Sequence, residues 1–140
     1  MGATTFFTVS LGRNPHQAFD RAREEALYVH GHGGYTGTIA EKDSFKFMGQ
    51  VSTPHWEKVP SWFEREEFKR EHPPTARLPH KPIPPKYRPR VVELLDTYLD
   101  KWGPAICYEV TGQEAKRQRA YHERSGTWDK VYVFCGWASE

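Results

Sequence analysis

Apolar and polar positions alternate from Thr5 to Leu11, with Phe7, Val9 and Leu11 on one side and Phe6, Thr8 and Ser10 on the other. That is the period of a half-buried strand, and Gly12 ends it. The period then changes. Over residues 14–31 Asn14 is a good N-cap, Pro15 suits the first helical position, and Gly31 can close the far end. Ala18, Phe19, Ala22, Ala26 and Val29 recur at helical spacing and predict the buried stripe. Alternation returns from Tyr35 to Glu41, which predicts a second strand and, with the first, a parallel pair joined by a right-handed crossover.

"SFKFMGQVS" reads as a further strand on Phe45, Phe47 and Met48. Val59 to Glu71 is a short amphipathic helix capped by Ser61, with Phe63 and Phe68 or Trp62 turned inward. Residues 72–90, "HPPTARLPHKPIPPKYRPR", hold seven of the eleven prolines. Prolines this dense favour extended polyproline II over helix or central strand, so the segment is a stiff connection that lies across the surface or reaches a partner. Apolar residues at 91, 92, 95, 98, 99 and 102 predict a second long helix stopped by Gly103-Pro104. Ala105 to Val110 and Val131 to Trp137 are apolar, β-branched and aromatic, hence strands. The polar stretch between them is an exposed helical turn or a long hairpin excursion.

The order β-α-β-(β)-α-β-β predicts one α+β domain over residues 1–140, interrupted only by the proline-rich connection at 72–90. Its mixed sheet carries two main helices on one face, and a ferredoxin-like variant is the nearest named architecture.

Composition narrows the function classes. Twenty Lys and Arg against 18 Asp and Glu give a net charge of +2, so there is no global basic field and no nucleic-acid partner is expected. Any anion site must be local. A 14% aromatic content suffices for a core without disulfides or metal, and Cys107 and Cys135 lack CxxC spacing and read as small core residues. No apolar run reaches the roughly 20 residues that span a bilayer, and the first residues lack the basic and apolar regions of a signal peptide. A soluble cytoplasmic protein with no membrane partner is the expectation.

The densest chemistry lies in "HGHGGYTGTIAEK", residues 30–42. A dinucleotide fingerprint would run from strand into helix, whereas this segment leaves a helix, and no GxxxxGK[ST] is present. His30-x-His32 could share an ion, but a zinc site needs three or four protein ligands, and Glu41, His122 and Glu123 supply no recognisable spacing. Neither metal nor cofactor is expected. Three readings stay open. In the first, Gly31 caps the helix, Gly33-Gly34 makes a turn and Gly37 lets a neighbour approach. In the second, Gly33, Gly34, Thr36 and Thr38 hold a phosphate with backbone amides and hydroxyls, Tyr35 lines or stacks in the pocket, and Lys42 or Arg119 neutralises charge. In the third, His30 and His32 act as base and acid on a phosphodiester, Lys42 steadies the developing charge, and Tyr121-His122-Glu123 supplies a second half of the site. The alternative for that second half is a solvated, charged loop. Trp102, Trp128 and Trp137 can stack on a base, with burial in the core the expected fate of each.

"HGHGGYTGTIAEKDSF", with the preceding "AFDRAREEALYVHG", resembles a pattern found in small, poorly characterised proteins encoded by bacteriophages. The resemblance covers about the first third of the chain. It implies a phage origin, hence the cytoplasm of an infected bacterial host. Small phage proteins of this size include kinds that defeat bacterial nucleotide-signalling immunity by sequestering or cleaving the messenger. The expectation is a homo-oligomeric counter-defence protein that sequesters a small, phosphate-rich nucleotide, either a cyclic dinucleotide or an ADP-ribose derivative. The alternatives are a metal-independent phosphodiesterase using His30 and His32, and a protein-binding module using the proline-rich segment.

Overall fold

A computed structural model describes residues 2–140. The chain runs β1 (Ala3–Gly12), α1 (Pro15–His30), β2 (Phe45–Ser52), α2 (Val59–Glu71), α3 (Arg88–Leu99), β3 (Ala105–Thr111), α4 (Gln113–Tyr121) and β4 (Lys130–Ser139), with 3-10 turns at Ile39–Glu41 and Trp56–Lys58. The four strands form one mixed sheet in the order β1-β4-β3-β2. β4 is antiparallel to both β1 and β3, whereas β2 and β3 are parallel. The fold is therefore α+β, as the alternating and helical periods lead one to expect.

Helices cover both faces of the sheet, so the two main helices expected on one face lie on opposite ones, α1 on one and α3 on the other. Phe6, Ala105, Cys107, Tyr132, Phe134 and Ala138 pack with Ala18, Phe19 and Ala22 of α1. Leu11, Ile106, Tyr108, Val110, Val131, Val133 and Cys135 pack on the other face with residues of α2, α3 and α4. Successive residues of β3 and β4 thus enter opposite cores, which is why these strands read as continuous apolar runs. Phe63 stacks on Tyr98 with ring centroids 4.7 Å apart, and the buried Tyr108 hydroxyl donates to the Trp56 carbonyl at 2.7 Å.

The first helix forms where its caps predict. Asn14 Oδ1 accepts from the Gln17 amide at 2.8 Å, Pro15 opens the helix, and the Gly31 amide closes it on the Leu27 carbonyl. Ala18, Phe19 and Ala22 are buried, but Val29 is exposed, lining an open groove beside β1. Residues 35–41 are not a strand. They are irregular and end in a 3-10 turn, so the parallel pair is β2 with β3, and the connection between them carries α2, the proline-rich segment and α3. Ser61 does not cap α2. The helix starts at Val59, the N-cap position is Lys58 without a side-chain cap bond, and Ser61 sits inside the first turn.

The proline-rich segment lies across its own molecule. Ile83 and Tyr87 are buried, Tyr87 stacks on Trp62, and Arg65 of α2 donates to the His80 carbonyl. Its last three residues already belong to α3, where Pro89 occupies the first turn and needs no amide partner. Among the described residues, no helix is long and apolar enough to cross a membrane.

Candidate functional site

The glycine-rich segment forms an anion nest whose anion is internal. Gly34, Tyr35 and Gly37 adopt φ of 78°, 56° and 69°, turning successive amides inward. The Tyr35 and Thr36 amides donate to the two carboxylate oxygens of Glu41 at 3.0 and 3.2 Å, and the Thr36 hydroxyl donates to the same carboxylate at 2.7 Å. With its proton committed there, the Thr36 oxygen accepts from the Thr38 hydroxyl at 2.7 Å, and Thr38 Oγ1 accepts from the Ala40 amide. Burial pushes the Glu41 carboxyl up, but the Thr36 hydroxyl and the two amides outweigh it and hold the group below its usual range. An incoming phosphate would have to displace Glu41 to reach these donors.

Gly37 has a second reason to be glycine. A Cβ there would stand 2.6 Å from the Thr4 methyl, and its amide donates to the Ser139 carbonyl at 2.8 Å, fastening the segment to the sheet.

Lys42 does not face a ligand. It is 1% exposed, and its three ammonium protons meet the carbonyls of Asp100, Lys101 and Gly103 at 3.0, 3.3 and 3.0 Å. Those carbonyls follow the C-terminus of α3, where a cation is favoured, and although the Asp100 carbonyl also accepts from the Gly103 amide at 3.2 Å, those of Lys101 and Gly103 need a donor. Burial lowers the Lys42 pKa, with Asp100 opposing. The charge-stabilising role expected of Lys42 is thus replaced by a structural one, because all of its donors are engaged.

Gly33, Gly34, His30 and His32 are exposed, and Tyr35 turns outward with its ring edge-on to Trp102 at 6.5 Å. His30 and His32 are not brought to one cleft. Instead, His30 shares a groove of about 320 Å³ with Thr38 and with His122, which follows α4. The α4 end of the chain therefore does meet the glycine-rich segment in space. Among the described residues, no three His, Cys, Asp or Glu side chains gather where they could hold a metal ion.

A larger cleft, of about 470 Å³, opens between α4 and the loop that enters β4. Lys116 and Arg119 come from α4, Ser125, Gly126 and Thr127 from the loop, and Trp128, Asp129 and Lys130 from the strand entrance. Trp128 is 91% exposed, so its expected burial in the core is overturned, as is that of Trp102 at 65%; Trp137 alone packs against the core. The physical reason is local: Trp128 sits on the loop before the sheet begins, where no apolar layer covers it. Three cations face one carboxylate here. That carboxylate, Asp129, is bridged from behind by Arg21 at 3.2 Å and Arg124 at 3.8 Å. The side chain of Arg119 donates only to the Asp129 carbonyl, at 3.3 Å, and among the described residues Lys116, Arg119 and Lys130 have no carboxylate within ion-pair distance. The cleft presents unneutralised positive charge beside an open aromatic face.

Arg119 was legible as an anion ligand from the basic stretch around it. Trp128, Lys116 and Lys130 were not assigned to a site, although a Gly-Thr-Trp run before a strand carries the signal of an exposed aromatic. Comparison with protein-family models, with curated proteins and with solved structures finds no match to the chain.

Proposed function

We propose that the protein binds and sequesters a small phosphate-rich nucleotide, with the cleft between α4 and β4 as its site. One observation carries this reading: among the described residues, Lys116, Arg119 and Lys130 lack carboxylate partners around a solvent-facing Trp128. Ammonium and guanidinium groups supply charge-assisted bonds to phosphate oxygens, while an indole stacks on a base regardless of its identity. The resemblance of residues 18–45 to phage proteins directs the choice of ligand toward cyclic dinucleotides and ADP-ribose-derived immune signals.

The purified protein is incubated with a panel of cyclic dinucleotides and cyclic ADP-ribose isomers, and ligand is released by heat. Intact messenger recovered with the protein is the expected result; no retention of any of them contradicts the reading. Arg119→Ala and Lys130→Ala should each weaken binding by about 1.5–3 kcal/mol, the worth of a bond to a charged group. Trp128→Ala should cost roughly 1–3 kcal/mol. Lys42→Met, in contrast, should lower the unfolding midpoint and leave affinity unchanged, because it strands the Lys101 and Gly103 carbonyls, which do not line the cleft.

A second reading rests on the groove shared by His30 and His122. Two imidazoles there would serve as acid and base on a phosphodiester. Linear products after incubation, lost in both His30→Ala and His122→Ala, would favour it over sequestration.

A further inference from the structure

The two edges of the sheet are finished differently. At the β2 edge, Arg90 donates to the Met48 and Phe47 carbonyls at 3.2 and 2.5 Å, and the strand register slips between Phe47 and Gln50. Both features stop another strand from pairing there. β1 forms the opposite edge, and its ten residues, ATTFFTVSLG, include no charge and no proline. It lacks the usual devices that keep an edge from pairing.

The hydrogen-bonding phase of β1 follows from its two ends. The Glu140 amide donates to the Gly2 carbonyl, and the ladder pairs residues whose numbers sum to 142, as in Thr4 with Ala138. Even-numbered residues of β1 therefore bond to β4, and odd-numbered ones direct their amides and carbonyls outward. The Leu11 carbonyl fits this phase, since Arg21 reaches it from outside at 2.9 Å. Ala3, Thr5, Phe7 and Val9 remain, and among the described residues their outward amides and carbonyls have no partner. Phe7 is 43% exposed at the centre of this row. The edge lines a groove with Ala22, Glu25, Ala26 and Val29 of α1 and with His122, which has room beside Phe7, Thr8 and Val9.

We infer that β1 pairs antiparallel with β1 of a second copy, joining two sheets into one of eight strands. A two-fold axis at Phe6 sets Ala3 opposite Val9 and Thr5 opposite Phe7, which satisfies every free edge group and leaves the Arg21 bond to Leu11 in place. A copy of the same strand is the occupant that matches this edge: it has equal donors and acceptors in the same spacing and brings no like charge. Because the β2 edges are closed by Arg90, the pairing ends at a dimer and does not propagate. The pairing occupies the groove of His30 and His122, so in the dimer these imidazoles lie at the interface. It is independent of the sequestration reading, since the cleft at Trp128 has no residue on β1, whereas it covers the groove that the phosphodiesterase reading needs.

Multi-angle light scattering on the full chain tests this. Wild type is expected to be a dimer that dissociates on dilution. Thr5 and Phe7 both face outward, so Thr5→Lys with Phe7→Lys should place lysines opposite lysines and yield a monomer with an unchanged circular dichroism spectrum. Thr5→Lys with Phe7→Glu places opposite charges together across the axis and should restore the dimer. A wild type that is monomeric at every concentration overturns the inference. So does a folded double-lysine variant that stays dimeric, or a lysine–glutamate variant that behaves like the double-lysine one. If the double-lysine variant fails to fold, Val9→Pro decides, because the Val9 amide faces outward and its loss leaves the β1–β4 ladder intact: a folded dimer again overturns the inference.

Discussion

Glu41 and Lys42 are neighbours with opposite fates, and both show how a charged residue in a suggestive motif can be used internally. Glu41 supplies the anion for the nest formed by Tyr35 and Thr36, and Lys42 ties the turn after α3 by three carbonyls. The Glu41 pKa is lowered from its ordinary 4.5, so the native state binds fewer protons than the unfolded chain as pH falls. Its stabilisation is fully present above pH 4.5 and is lost as pH drops through the lower folded value. The Tyr35 and Thr36 amide resonances should therefore titrate together with a midpoint below 4.5, and Glu41→Gln should abolish the transition; a midpoint at or above 4.5 would show that the nest does not hold the carboxylate. The chemistry of this motif was legible in its residue types, since glycines and threonines do present donors to an anion. Which anion was not legible, because Glu41 meets Tyr35 only after positive φ angles at Gly34, Tyr35 and Gly37 fold the chain back on itself.

At the scale of elements, the caps of α1 and the apolar strands were legible, the Ser61 cap of α2 was not, and the one misplaced strand has a clear cause. Tyr35, Gly37 and Ile39 alternate with Thr36, Thr38 and Ala40, but Tyr35 and Gly37 sit at φ of 56° and 69°, in the left-handed region outside extended strand geometry. The actual strand, β2, begins at Phe45, where aromatic side chains reach the layer under α1. The proline-rich segment, expected to contain no helix, gives its last three residues to α3, and Ile83 and Tyr87 are what pin the rest. Ile83→Ala should lower stability by about 2–5 kcal/mol, the range for truncating a buried aliphatic side chain, read as a shift in the urea midpoint. A shift near zero would mean that the segment is not held against the core. Spacing alone would not single out Ile83, since it is one apolar residue among prolines and lysines.

For the molecule as a whole, net charge says little and its placement says much. The +2 total hides a cleft in which Lys116, Arg119 and Lys130 stand together while Asp129 is turned to Arg21 and Arg124. Because these cations are near solvent, nucleotide affinity should fall as salt rises, and Arg119→Ala should show a shallower salt dependence than wild type. Affinity independent of salt would remove the cations from the site. By itself the sequence determined the class of fold, the caps of α1, the central strands and the local chemistry of residues 30–42, because periodicity and capping act over a few neighbouring residues. Tertiary structure alone decided which face each helix covers, that the nest is filled by Glu41, that His30 meets His122 rather than His32, and that Trp128 stands open among cations. Each of these depends on side chains distant in sequence, or on a backbone turn that spacing does not encode.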